Sequence, residues 1–459
     1  METCSRSGIM NLCSLAVRTR DLCCFMFRVL SKLSGIAPGL LKKFRQHVHA
    51  HPSKKEPALR TLSELPQDTL MDVFATLEIP DLVRAGSVCS SWRAANTTLR
   101  DLGKYKLSQT PCLLYTSKSA GESVSCLYSL VEKRTYKLTL PAPPIRSRYL
   151  IGSLHGWLVT VDDRSEMHLV NPITGEQIAL PSVTTIKNVR PIFNKFGVVQ
   201  KYEYTKRTWS GDYLGKENLP PHKLREYLHY KAFVFPETSK GTYIVVLIHN
   251  PYEHLSFARV GDDRWTWLSP HHYDDCNYKD GLLYAIAKIG EVHAFDLSGP
   301  VVIMKTVIGM WQNIMCENMY LVLAPWGDQL NVLRTGVEEG HDADPATLVR
   351  NIGELQIYKV DAITKTRVEF KWLNDHVMFL GHNQSLCLST KEYPSLKANH
   401  AYFTDNNALW TKGFKSNRRH IGVLDLEKNV RDELVSPQLW SSWPTPVWIT
   451  PSLATMNMK

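Results

Sequence analysis

His271-His272-Tyr273-Asp274-Asp275-Cys276 packs imidazole, carboxylate and thiol groups into six consecutive positions of this 459-residue chain. Those are the ligand types of zinc and related ions. Neighbouring ligands rarely converge on one ion from a loop between strands, and the spacing matches no zinc class, so the stretch reads as a solvated loop with no metal. His47, His49 and His51 alternate along a basic segment and read the same way. Ten cysteines are scattered: Cys4, Cys13, Cys23 and Cys24 crowd the N-terminus, the other six stand alone, and no C-x-x-C occurs. Reduced thiols in a cytosolic or nuclear protein fit that usage. A Walker loop, a G-x-S-x-G elbow and an H-E-x-x-H helix are all missing from the sequence. With no nucleophile, metal or cofactor to work with, the chain is expected to have no catalytic residues and no cofactor, and to act by binding.

The residues that position a binding surface must then be found. At 459 residues, two or more domains are expected. Hydrophobic residues at 44%, charged at 21% and aromatic at 10% describe an ordinary soluble globular protein. No run of 18 apolar residues suggests a membrane span. Of the net charge of +10, residues 1–55 supply +8, from ten Lys/Arg against Glu2 and Asp21. The remainder is nearly neutral, so no nucleic-acid-binding face is expected. Residues 1–60 form a basic tail, disordered or targeting: its lack of acids fits a mitochondrial transit peptide, and Lys42-Lys43-Phe44-Arg45 a nuclear signal.

Residues 62–103 carry helical periodicity. Pro66 suits a first turn, where its missing N–H costs nothing, and Asp68 favours the helix N-terminus. Leu70, Val73, Phe74 and Leu77 form one apolar stripe. Pro80 opens a second short helix with Leu82 and Val83. Gly86-Ser87 ends it, and Ser87 is expected to cap a third helix with Val88, Trp92, Ala95 and Leu99 on one face. A three-helix unit this small is marginal alone, so a partner is expected.

From 110 to 452 the pattern changes to short strands: Trp157–Val161, Tyr243–Ile248, Leu282–Ile286, Val292–Phe295, Leu355–Val360 and Ile421–Leu424. Several end in Asn or Asp followed by a turn, at Asn171, Asp296, Asp361 and Asp425, with a weaker relative at Tyr128–Arg134. Their spacing exceeds one kelch-type blade of about 50 residues, which implies a degenerate repeat with insertions, expected at 201–236 and in the acidic 338–344 loop. A closed β-propeller fits best, because closure removes the exposed edges of so many strands. The fold class is therefore α+β multidomain: a small helical unit followed by a large all-β domain.

Leu65-Pro66, Leu70, Phe74, Leu77, Ile79-Pro80, Asp81-Leu82, Val88-Cys89 and Trp92-Arg93 resemble the F-box; Phe74 stands where Ile or Leu is more usual. The remainder resembles the plant F-box-associated domain of KIB-like, kelch-like proteins. It does so through Gly152-Ser-Leu-His-Gly156-Trp157 with Asn171-Pro172, and through Trp265-Thr-Trp267 with Asp280-Gly281-Leu-Leu-Tyr284. Val368-Glu-Phe370, Phe379-Leu-Gly381 and Ile421-Gly-Val-Leu-Asp425 complete it. The resemblance implies docking on a Skp-type adaptor, and through it a cullin, with the propeller holding an unknown substrate protein for ubiquitylation. The adaptor-facing residues it implies are Leu65, Pro66, Leu70, Phe74, Leu82, Val88 and Trp92, with Leu70 and Trp92 as anchors. Trp209, Trp311, Trp326 and Trp443 are candidates for the substrate surface, whereas Trp157, Trp265 and Trp267 follow strand patterns and read as blade packing. The alternative is an F-box propeller acting outside the ligase, as a scaffold or organelle-targeted protein.

Overall fold

The structure is a computed structural model and describes residues 65–105, 108–208, 212–237, 241–311, 316–339, 349–405, 408–454 and 456. The basic tail, with its cysteines and histidines, Trp209 and most of the acidic 338–344 loop lie outside these residues. The chain divides into two compact units: one runs to Thr110 and includes Pro451–Leu453, the other spans Pro111–Thr450 and the residues from Ala454 on.

The first unit holds helices α1 (Gln67–Phe74), α2 (Ile79–Ala85) and α3 (Ser90–Asp101). The stripe of Leu70, Val73, Phe74 and Leu77 is buried against Leu82, Trp92, Ala95 and Leu99. Phe74 meets Trp92 edge-on at 5.2 Å between ring centroids, an arrangement that adds to area burial alone. Ser87 does not cap α3: its hydroxyl donates to the Arg84 carbonyl at the end of α2. The N-cap is Cys89, whose Sγ accepts from the Trp92 amide. Gly86 is needed for space, since a Cβ there would overlap the Asn96 amide, which donates to Leu82 O at 3.1 Å and ties α3 to α2. The unit extends past the helices. Gln109 Oε1 accepts from the first amide of α2, Ile79, at 2.6 Å, and Tyr105 donates to Leu77 O at 2.5 Å. The first satisfies a helix-start amide that would otherwise be orphaned, and the second ties Tyr105 to the turn between α1 and α2.

Among the described residues, the second unit folds as a β-propeller that divides into six blades, the last two forming one continuous nine-stranded sheet. Blade 1 joins β1 (Cys112–Tyr115), β2 (Val124–Ser129) and β3 (Arg134–Thr139) to the last strand, β28 (Val447–Ile449), which pairs with β1 and closes the ring. Blade 2 is β4 (Tyr149–Leu154), β5 (Trp157–Val161), β6 (Met167–Val170) and β7 (Gln177–Ala179). An inserted three-stranded sheet follows, β8 (Val189–Phe193), β9 (Val199–Arg207) and β10 (Tyr213–Leu219), then helix α4 (Pro221–Leu228). Blade 3 is β11 (His229–Glu237), β12 (Thr242–His249), β13 (His254–Arg259) and β14 (Thr266–Ser269). Blade 4 is β15 (Tyr273–Lys279), β16 (Leu282–Ala287), β17 (Val292–Asp296) and β18 (Ile303–Ile308). Blade 5 is β19 (Asn318–Leu323), β20 (Gln329–Glu339), β21 (Val349–Asp361) and β22 (Thr366–Glu369). Blade 6 is irregular: the hairpin of β23 (His376–Leu380) and β24 (Leu386–Ser389) forms its inner side, and β23 runs parallel to β25 (His400–Phe403). Helix α5 (Ala408–Gly413), β26 (Gly422–Asp425) and β27 (Val430–Glu433) complete it.

The ring is held by apolar layers between blades. Val322, Leu330 and Ile357 of blade 5 pack on Met378, Leu380 and Phe403 of blade 6. Val377, Phe379 and Tyr402 of blade 6 pack on Leu113, Tyr128 and Trp448 of blade 1. The Asn/Asp repeat has one structural address, the turn between the last two strands of a blade. Asn171, Asp361 and Asp425 each accept two backbone amides there: Ile173 and Thr174, Ile363 and Thr364, Glu427 and Lys428. Each is followed four residues later by a left-handed residue, Gly175, Lys365 or Asn429, and Ser129 with Lys133 repeats this in blade 1. Asp296 accepts only from Ser298. The long gap between Asn171 and Asp296 is explained by the inserted sheet and by blade 3, which lacks the motif. The insertion spans 189–228; residues 231–236 belong to the first strand of blade 3.

Candidate interaction surfaces

In the helical unit the residues expected to face an adaptor divide by burial. Leu70, Phe74, Leu82 and Trp92 are at most 1% exposed and form the unit's own core. Leu70 and Trp92, expected as contact anchors, are covered by the neighbouring helices. Leu65 and Val88 are half-buried at the rim of the core, and Pro66 is exposed as the residue preceding α1. Pro66 sits at the N-cap, one residue earlier than a first-turn proline, with no side-chain cap on the helix.

On the propeller, Trp157 and Trp265 are buried in the blades, and Trp265 donates to Pro181 O at 2.9 Å. Trp267 is half-buried beneath Lys187, whose ammonium lies 3.8 Å from the ring centroid. Among the other tryptophans, Trp311 packs edge-on against Tyr358 and Trp443 against Tyr149. Trp326 and Trp372 stay open to solvent, and the Trp326 indole N–H donates to Asp328 Oδ2. On the inserted sheet Phe193, Phe196 and Val198 are more than half exposed at one end of β9, and Tyr213 and Leu214 at its other end. The charge and aromatic content of the segment flagged the insertion in the sequence. That its apolar side chains face outward did not show, because the strands keep no clean alternation. Exposed apolar patches of this kind mark interaction sites.

The stretch 271–276 is not a solvated loop. Its last four residues begin β15, the innermost strand of blade 4, and Tyr273, Asp275 and Cys276 are buried. Burial pushes Asp274 up to about 6 and drives the Cys276 thiol well above its usual range, which removes it as a nucleophile at neutral pH. Asp275 is fully buried and joins four blades. Its Oδ1 accepts from Lys231 Nζ of blade 3 at 3.0 Å, and its Oδ2 accepts from the Leu321 amide of blade 5 and Ser385 Oγ of blade 6. Removing one partner from such a pair strands a buried charge, at a cost of about 3–5 kcal/mol. Asp275→Ala is therefore expected to lower the propeller's thermal midpoint sharply, and Asp275→Leu combined with Lys231→Met to recover a large part of it. A single variant that melts with wild type would remove this clasp from the account.

All six cysteines among the described residues are free thiols. No helix among the described residues is long and apolar enough to cross a membrane.

Comparison with known proteins finds two family matches. The KIB1-4 beta-propeller family matches residues 127–425, and the F-box-like family matches residues 62–99. Among curated relatives, the chain is similar to putative F-box protein At2g33190 of Arabidopsis thaliana, with 24% identity over 79% of this chain and 91% of that protein. It is also similar to F-box protein KIB3 of Arabidopsis thaliana, with 25% identity over 55% of this chain and 52% of that protein. Among solved structures, TolB from Acinetobacter baumannii aligns over 79% of this chain and 73% of its own, at 9% identity and a TM-score of 0.34.

Proposed function

Because this chain belongs to the KIB1-4 beta-propeller family and carries an F-box-like segment ahead of the propeller, we propose that it is the substrate-recognition subunit of a Skp–cullin–F-box ubiquitin ligase. The observation that carries the reading is the coincidence of the F-box-like match with a self-contained helical unit, beside a separate propeller unit. F-box proteins of this kind generally serve such ligases without chemistry of their own. The helical unit docks on a Skp-type adaptor, with Leu65, Pro66 and Val88 contributing contacts and the buried Leu70, Phe74, Leu82 and Trp92 maintaining the docking shape. The propeller holds the substrate protein, and the exposed apolar cluster of Phe193, Phe196 and Val198 at the β8–β9 turn is the surface best suited to that contact.

Reconstitution tests the reading. Full-length chain mixed with a Skp-type adaptor, cullin and RING subunit is expected to elute as one stoichiometric complex and to be ubiquitylated itself when charged conjugating enzyme is supplied. A folded chain that elutes apart from the adaptor overturns it.

A further inference from the structure

We propose that His271, Glu291 and His293 form a divalent transition-metal site of zinc type on blade 4. One His is in the approach to β15, the carboxylate in the turn between β16 and β17, and the second His within β17. The three potential ligand atoms lie within 4.8 Å of one another. His293 Nε2 stands 3.4 Å from Glu291 Oε2, close to the roughly 3.3 Å that separates two ligands of a tetrahedral zinc bound at about 2.0–2.1 Å. The imidazoles of His271 and His293 sit 4.7 Å apart between centroids, so small side-chain rotations bring the third donor to the same point.

The surrounding hydrogen bonds set the lone pairs for this. Tyr273 donates its hydroxyl proton to Ser269 Oγ at 3.1 Å, and its oxygen lies 2.9 Å from His293 Nδ1. With that proton committed, Nδ1 of His293 can donate to Tyr273, the tautomer that leaves Nε2 as the lone-pair nitrogen. An acceptor nitrogen then faces a carboxylate oxygen, which is unfavourable unless a cation lies between them. A partner on the second ring nitrogen is also what fixes the orientation of metal-bound histidines. Two imidazoles and one carboxylate suit zinc better than calcium or magnesium, which take oxygen ligands. His293 is buried while His271 and Glu291 are half-exposed, so the fourth position opens to solvent. Bound metal would pin the approach to the innermost strand onto the β16–β17 turn of the same blade.

The test uses the full chain, stripped of metal and titrated separately with Zn(II), Co(II) and Mg(II). The tail histidines and cysteines are present in every arm, so the readout is the difference between proteins. Wild type is expected to bind one more equivalent of Zn(II) than either His271→Ala or Glu291→Gln, and to melt at higher temperature with Zn(II) than without it. It should also give an intense tetrahedral Co(II) visible spectrum that both variants weaken, while Mg(II) changes nothing. Both substituted side chains are half-exposed, so the metal-free variants should melt near wild type, and two separate substitutions guard against either one misfolding. Equal Zn(II) stoichiometry in wild type and both variants, or an unchanged Co(II) spectrum, overturns the site and leaves a His293–Glu291 hydrogen bond.

Discussion

Trp92→Ala is expected to abolish adaptor binding by opening the helical unit, whereas Pro66→Asp abolishes it with the unit intact. Trp92 is 1% exposed, packs edge-on against Phe74, and has its amide capped by Cys89. Truncating a buried Trp typically costs about 3–5 kcal/mol. A unit this small has little more stability than that to lose. Hydrogen exchange should therefore show the amides of Ser90–Asp101 open in Trp92→Ala, while those of the propeller strands stay protected. Pro66 behaves in the opposite way. It is exposed and occupies the N-cap without capping α1. Asp at that position supplies the missing cap, a gain of about 1 kcal/mol for the helix, but replaces an apolar contact with a charge. Adaptor co-purification is expected to fail for both variants, and protection in α1 and α3 to be retained only for Pro66→Asp. If Trp92→Ala keeps its protection yet loses the adaptor, Trp92 is a contact residue after all. If Pro66→Asp binds like wild type, the contact lies elsewhere on the unit.

What the sequence reveals of this fold depends on how far apart the cooperating residues lie. The stripe Leu70, Val73, Phe74 and Leu77 is local, and all four side chains are in the core as their period requires. The turn at Asn171, Asp361 and Asp425 is also local: the side chain accepts amides two and three residues on, so the same five-residue pattern marks the same place in different blades. Distant partners hide. Gln109 satisfies the start of α2 from 30 residues away. The strand Tyr273–Lys279 passes for a loop because it is polar, and its polarity is neutralised by Lys231, Leu321 and Ser385, which are 44 to 110 residues distant. Glu291 and His293 come to His271 only through the pairing of β15, β16 and β17. The division of the F-box residues into core and rim follows the same rule. Period shows that Leu70 and Trp92 each lie on the apolar face of their own helix, and only the packed helices show that those two faces cover one another.

Gly152→Ala is expected to be the most damaging small substitution in the propeller, although it adds one methyl group. Gly152 lies in β4 at an irregularity in its pairing with β5, where the innermost strand of blade 2 runs beside that of blade 3. A Cβ there would overlap the carbonyl oxygen of Ala232 and lie 2.8 Å from its carbonyl carbon. Both obstacles are backbone, and β11 cannot retreat because Ala232 is paired with Leu247 inside blade 3. Overpacking a well-filled interior typically costs about 1–3 kcal/mol, and a clash with paired backbone belongs at or above the top of that range. Gly281 gives the comparison. It belongs to the Asp280-Gly281 turn between β15 and β16, with φ of 81° and open space where a Cβ would stand. Ala at Gly281 therefore meets only left-handed backbone strain, about 1–2 kcal/mol. The thermal midpoint of the propeller should fall further for Gly152→Ala than for Gly281→Ala, and Gly152→Val should leave little folded propeller. Adaptor binding, which rests on the helical unit, should survive in both alanine variants. A Gly152→Ala protein that melts with or above Gly281→Ala would mean that blades 2 and 3 are not held this closely, and the close approach of β4 to β11 would have to be given up.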